Sequence, residues 1–190
     1  DDHSLRELVC GFGSAEPDVP GVLGASPANE RYGIPKLDIA AGSCGLQLQK
    51  EIRDEETDRV VRRQYCTAFP AASLLACSFD PELIRAVGAG IGREMAEYGI
   101  DLWLAPGANL LRTPRQEAFC ECWSEDPVVS GICAMSIAHG VEHYGAPVLR
   151  AIAPAEGELS QHAYRQLYAL PFEIASSAYP AVLIPDRSLN

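Results

Sequence analysis

Two Asp-Pro dipeptides, Asp80-Pro81 and Asp126-Pro127, each stand where an irregular stretch gives way to a helical pattern. An Asp side chain accepts from the first orphan amides of a helix, and the fixed φ of proline suits the first helical position. Each pair therefore marks a helix start. After the first, Leu83, Ile84, Val87, Ile91 and Met95 keep helical spacing, so one face of Asp80–Tyr98 is expected to be buried, with Gly99 as the stop. The second opens a helix to about His143, and Ser160 caps a third, Gln161–Ala178, interrupted at Pro171. Short apolar runs separate them: Lys36–Ala40, Asp101–Ala105, Pro147–Ile152 and Ala181–Ile184. Strand and helix in alternation mean right-handed βαβ units on a parallel sheet.

Thr67–Pro70 and Ser73–Cys77 read as apolar segments at a further strand end, which gives four or five strands. That is about half of an eight-stranded barrel, which takes about 250 residues. The expected fold is α/β: a partial TIM-type (β/α) barrel of about four to five parallel strands with flanking helices. A small open sheet is the other option, but the long loops all follow strands, the barrel habit. Residues 1–190 are read as a single domain, in which 1–35 is a Gly- and Pro-rich irregular segment after one short helix. The charged run from Gln47 to Gln64 reads as an exposed excursion.

The chain is 47% hydrophobic and 22% charged, enough to bury a sizeable core as one domain. Its formal charge of −11 argues against nucleic acid or an anionic membrane as partner, since both need a cationic surface. No apolar run is as long as a membrane span and no signal peptide is visible, and a first residue of Asp rather than Met suggests a processed, trimmed or partly represented chain. The seven cysteines include several in apolar company, such as Leu-Leu-Ala-Cys77 and Gly-Ile-Cys133-Ala, and are expected to be buried free thiols rather than a disulfide framework. That favours a reducing, cytoplasmic compartment.

The stretch Asp101–Pro127 is the chemically dense one. It leaves a buried strand at Pro106-Gly107, crosses about twenty polar and aromatic residues, and ends at the cap Ser124-Glu125-Asp126-Pro127. A long loop at the carboxyl end of a strand is where α/β enzymes keep their sites. Glu121, Glu125 and Asp126 could suggest paired-carboxylate work, yet Asp126 reads as the helix cap and Glu125 as a favourable first-turn charge. Trp103 reads as a core strand residue, and Trp123 as a candidate platform for a sugar ring. His139-Gly-Val-Glu-His143 has the order of one zinc peptidase class, but at a glycine-containing helix end it reads more plainly as exposed polar sequence. Cys120-x-Cys122 is too tight for a zinc knuckle, and no local motif supplies a His partner for a cysteine nucleophile. No metal and no cofactor are expected.

Several segments, in order, resemble the catalytic barrel of glycoside hydrolase family 3, the β-glucosidase family: YGIPKLDIAAGSCGLQLQKE, TAFPAASLLACSFDPELIRAVGAGIGREMAEYGIDLWLAPGANLLRTP, SEDPVVSG and AYRQLYALPFEIA. The resemblance covers roughly residues 8–186 and the N-terminal part of that barrel. It implies a retaining exo-glycosidase ancestry, with an Asp nucleophile and a separate acid/base carboxylate. Carried over position by position, it also implies losses. The Asp-Gly whose Asp grips sugar hydroxyls stands here as Ala41-Gly42. The Arg of an Asn-x-x-Arg-x-Pro segment is kept as Arg112. Gly-Arg-Asn-Phe-Glu has become Glu117-Ala118-Phe119-Cys120-Glu121, so Ala118 and Phe119 replace Arg and Asn while Glu121 remains. A Lys-His pair falls at Arg150-Ala151, and the polar loop after it is shortened to 153–158. The nucleophile-bearing segment has no match here.

The resemblance thus implies former site positions at Ala41, Ala118, Phe119 and Ala151, and a remaining substrate-binding set of Arg112, Glu121, Trp123 and Arg150. Each lost hydrogen bond to a sugar hydroxyl costs about 1–3 kcal/mol of recognition. The expectation is a non-catalytic subunit of a carbohydrate-processing assembly. A chain of a split β-glycosidase and a sugar- or glycoside-binding module are the alternatives. A half barrel has open edges and a bared interior, so a protein partner is expected: a homologous barrel chain, a complementary fragment, or a second copy.

Overall fold

The computed structural model describes residues 15–54, 56–113, 115, 119–150 and 160–183. A five-stranded sheet runs in the order β1 (Gly24–Ser26), β2 (Leu37–Ala41), β5 (Leu102–Leu104), β6 (Ala146–Arg150), β7 (Ala181–Leu183). The last four are mutually parallel, as the strand-helix alternation predicts. β1 is antiparallel to β2, pairing Gly24 with Ile39 and Ser26 with Leu37. It lies within the segment read as irregular, because Gly-Ala-Ser has no strand preference and only its partner makes it a strand. The charged excursion is a two-stranded hairpin, β3 (Glu51–Arg53) with β4 (Val60–Arg63).

Ser73–Cys77, read as part of a strand end, instead lies in and just beyond a short helix, α1 (Ala72–Ala76). The two capped helices form as expected. Asp80 accepts from the amides of Glu82 and Leu83 at the start of α2 (Pro81–Tyr98), and Gly99 ends it in a left-handed conformation. Asp126 accepts from Val128 and Val129 at the start of α3 (Pro127–Val141). The third helical segment begins at Ser160 and runs through α4 (Gln161–Ala163), a π turn (Tyr164–Ala169), α5 (Leu170–Ala175) and a 3-10 turn (Ser176–Ala178). Pro171 has no N–H to give, and the chain widens into the π turn just before it.

The buried face of α2 is Ile84, Gly88, Ile91, Gly92 and Met95, and Leu83 points outward, 46% exposed. Apolar spacing placed Leu83 inside because it overlooks glycines. α2 and α3 cross where Gly88 meets Gly140, and a Cβ on Gly140 would stand 2.2 Å from the Arg85 carbonyl oxygen. α3 is buried on several sides, between α2 and α5. Strand alternation puts Ala40, Trp103 and Leu149 against these helices, all fully buried. Leu102, Leu104 and Val148 face the other way and are half-buried, while β7 is exposed along its length. The sheet is therefore an arc of a barrel, and β7 is its last strand among the described residues. Among the described residues no helix is long and apolar enough to cross a membrane.

The thiols are less buried than their apolar neighbours suggest. Cys122 and Cys133 are buried, Cys44 and Cys66 half-buried, Cys77 and Cys120 exposed, and none of the six is in a disulfide. For Cys77 the reason is that α1 turns its Leu74–Cys77 edge outward: Leu74 itself is 64% exposed.

Candidate functional site

The carboxyl ends of β2, β5 and β6 converge, and the loops leaving them share hydrogen bonds. Gly42 follows β2 at φ 129°, where a Cβ would lie 2.0 Å from the Gly45 carbonyl oxygen, so the turn admits only glycine. Its carbonyl accepts from the Trp103 indole at 2.9 Å. Gly107 follows β5, and its carbonyl accepts from the Trp123 indole, also at 2.9 Å. The Asn109 amide donates to the carbonyl of Arg150 at 3.3 Å, and the Arg150 amide donates to Pro106 at 3.5 Å. The loop after β5 is thereby laced to the end of β6.

On this frame Arg150 and Glu121 meet. Arg150 ends β6, Glu121 lies in a 3-10 turn (Phe119–Glu121), and Nη1 donates to Oε1 at 2.6 Å. Glu121 is only 14% exposed and Arg150 43%. Burial pushes the Glu121 carboxyl above its ordinary value, and the Arg150 guanidinium offsets part of that rise. The second carboxylate oxygen, Oε2, is buried without a hydrogen-bond partner among the described residues. A low-dielectric ion pair of this kind holds position well and is costly to break from one side.

The other expected residues are placed differently. The Arg112 guanidinium lies over the ring of Tyr168 in the π turn, 5.6 Å from its centroid. Trp123 departs from the expected platform: it is 2% exposed and packs in the core, because its indole N–H is drawn inward to Gly107. Trp103 is a core residue, as read. Ala41 ends β2, half-buried, and its carbonyl accepts from Gln47 at 2.9 Å. Phe119 is 37% exposed. Ala118, Ala151 and 153–158 lie outside the described residues. In sequence, Gly107 reads only as the break after the strand and Asn109 only as the first residue of the Asn-x-x-Arg-x-Pro segment; the fold gives both a role, and Asn109 is 9% exposed.

His139 Nδ1 lies 3.0 Å from Glu142 Oε2, and His143 Nε2 lies 4.0 Å from Glu142 Oε1. The described residues contain no group of three or more His, Cys, Asp or Glu placed to hold a metal ion. Two cavities lie away from the Glu121–Arg150 pair. One of about 260 Å³ sits at the amino ends of the strands, against Lys36, Asp38, Arg62, Gln64 and Asp101. Another of about 230 Å³ is a groove between α2 and α3, near Glu82, Arg85, His139 and Tyr144.

A sheet of parallel strands with helices on one face, its polar loops gathered at the strands' carboxyl ends, is part of a (β/α) barrel. The chain belongs to glycosyl hydrolase family 3: residues 41–153 match the family's N-terminal domain. It is 40% identical over 116 residues to thermostable β-glucosidase B of Acetivibrio thermocellus, covering 61% of this chain and 15% of that protein. To an exo-α-(1→6)-L-arabinopyranosidase of Bifidobacterium longum it is 33% identical over 162 residues, covering 80% of this chain and 21% of that one. Among solved structures, β-glucosidase 3B of Thermotoga neapolitana in complex with glucose superposes with a TM-score of 0.74 at 33% identity, over 86% of this chain and 24% of that one. The chain thus spans roughly a fifth of the length of the curated relatives it matches.

Proposed function

We propose that this chain is a degenerate, β-glucosidase-like member of its family, non-catalytic by itself, with a structural or regulatory role in a carbohydrate-processing assembly. The observation that carries the reading is the Glu121–Arg150 ion pair, which joins two of the expected sugar-contacting residues to each other. Around it, Ala41 and Phe119 stand where the resemblance expects an Asp and an Asn, and neither side chain can hydrogen-bond a hydroxyl. The scaffold itself is well built, in the caps, the glycine crossing of α2 and α3, and the laced loops.

The test is hydrolysis of an aryl β-glucoside by the intact natural protein with whatever chains co-purify. No turnover from a folded assembly is the expected result, and turnover that tracks the assembly overturns it. Such turnover would favour a second reading, one chain of a split β-glycosidase whose nucleophile and acid/base lie on a partner. A residual sugar- or glycoside-binding role through Arg112, Glu121 and Arg150 would appear instead as thermal stabilisation by a simple sugar that Arg112→Ala removes.

A further inference from the structure

We infer that the cavity at the amino ends of the strands is a site for a small primary ammonium group, carried by an amino acid or a simple amine. It lies at the opposite end of the sheet from the Glu121–Arg150 pair, and its filling does not depend on whether the assembly is catalytic. The carrying observation is Gln64, which is 3% exposed and lines the cavity. Its Nε2 donates to the carbonyls of Pro20 at 3.1 Å and Gln49 at 3.0 Å, which fixes Oε1 as the acceptor. Oε1 is buried and has no hydrogen-bond partner among the described residues. A buried oxygen left unpaired costs free energy that an arriving N–H donor recovers.

Further open acceptors stand in the same wall. Asp38 and Asp101 meet across β2 and the start of β5: the Asp38 amide donates to Asp101 Oδ2 at 2.8 Å, and the Asp101 amide donates to the Asp38 carbonyl at 3.1 Å. Asp101 Oδ1 is left without a partner among the described residues, and Asp38 Oδ1 has only the Asp18 amide at 3.4 Å. Asp18 in turn holds Lys36 through Oδ1 at 2.7 Å. Arg62, exposed at the rim, makes no ion pair among the described residues.

The lining selects the class of occupant. Three carboxylates against two cations disfavour a phosphate or sulfate, and among the described residues no group of three or more ligating side chains is placed for a metal ion. The cavity's volume of about 260 Å³ lies below the roughly 300–1,000 Å³ of pockets for drug-sized molecules, so the occupant is small. An ammonium group brings three donors and one positive charge, which suits a buried amide oxygen set beside carboxylates. Where the molecule also carries a carboxylate, Arg62 is the cation available to it.

The experiment titrates the intact natural protein in a calorimeter with L-alanine, ethylamine, propionate and tetramethylammonium, small probes that separate positive charge from N–H donors. Affinities in the millimolar range are expected for so few atoms. L-Alanine or ethylamine should bind, while propionate and tetramethylammonium should not. Asp101→Asn keeps an acceptor for the Asp38 amide and removes one charge, so the dissociation constant of the bound amine should rise about fivefold. Arg62→Ala separates the two sources. Weaker L-alanine binding in that variant identifies an amino acid as the occupant, and binding of ethylamine alone identifies a simple amine; both uphold the site. Failure of both amines to bind the unaltered protein, equal binding of tetramethylammonium, or amine binding unchanged by Asp101→Asn overturns the inference. If Asp101→Asn fails to fold, the choice of the unaltered protein between ethylamine or L-alanine and tetramethylammonium decides by itself.

Discussion

At the scale of single residues, the amino end of the sheet hangs on Asp38. Its side chain is 3% exposed and accepts from the amides of Asp18 at 3.0 Å and Val19 at 3.1 Å, while its own amide donates to Asp101 Oδ2 at 2.8 Å. Asp38→Ala strands the buried Val19 amide, while the Asp18 amide lies on an exposed residue, and a buried orphan costs about 1–3 kcal/mol. The urea midpoint should fall by the equivalent of about 2 kcal/mol, and by less in Asp38→Asn, which keeps one acceptor oxygen. Glu121 supplies a pH signature. Its carboxyl is raised on folding, so its contribution to stability is fully present below the ordinary value of 4.5 and is lost as pH rises through the higher folded value. Glu121→Gln should therefore gain stability relative to the unaltered protein as pH goes from 4 to 7, read from paired denaturation curves. A constant difference across that range would contradict the burial argument. Residue roles were unevenly legible. Trp103 sits in an apolar run and reads as core at once; Trp123 lies between Cys122 and Ser124, and only the fold brings Gly107 to its indole.

At the scale of elements, the helices were legible because their boundaries are written locally, in Asp80-Pro81, Asp126-Pro127, Ser160 and Gly99. Removing a cap is expected to cost about 1 kcal/mol, so Asp126→Ala should lower the thermal midpoint by a few degrees, and Asp80→Ala likewise. What local sequence does not record is where two elements touch. Gly140→Ala would improve helix propensity in isolation, yet its Cβ would meet the Arg85 carbonyl at 2.2 Å, the Ala89 amide at 2.7 Å and Gly88 Cα at 2.8 Å. All three are backbone atoms, so α2 and α3 must separate. A loss of about 2 kcal/mol or more is expected, measured by urea denaturation. β1 was illegible for the same reason: a three-residue Gly-Ala-Ser strand exists only through its register with β2.

At the scale of the whole molecule, the exposed strand β7 is the feature most in need of a neighbour. Val182 is 46% and Leu183 41% exposed on an edge bonded only to β6 among the described residues. Such an edge invites pairing. The expected outcome in sedimentation is association, weakened by Val182→Lys, and a monodisperse monomer across concentrations would contradict it. The far side of the sheet is finished differently. β1 reverses direction against β2, and its outer side carries the Ala15–Ala25 bridge. Among the described residues, a second copy docking on β7 would pair like edge with like edge, the symmetric contact of a two-fold dimer.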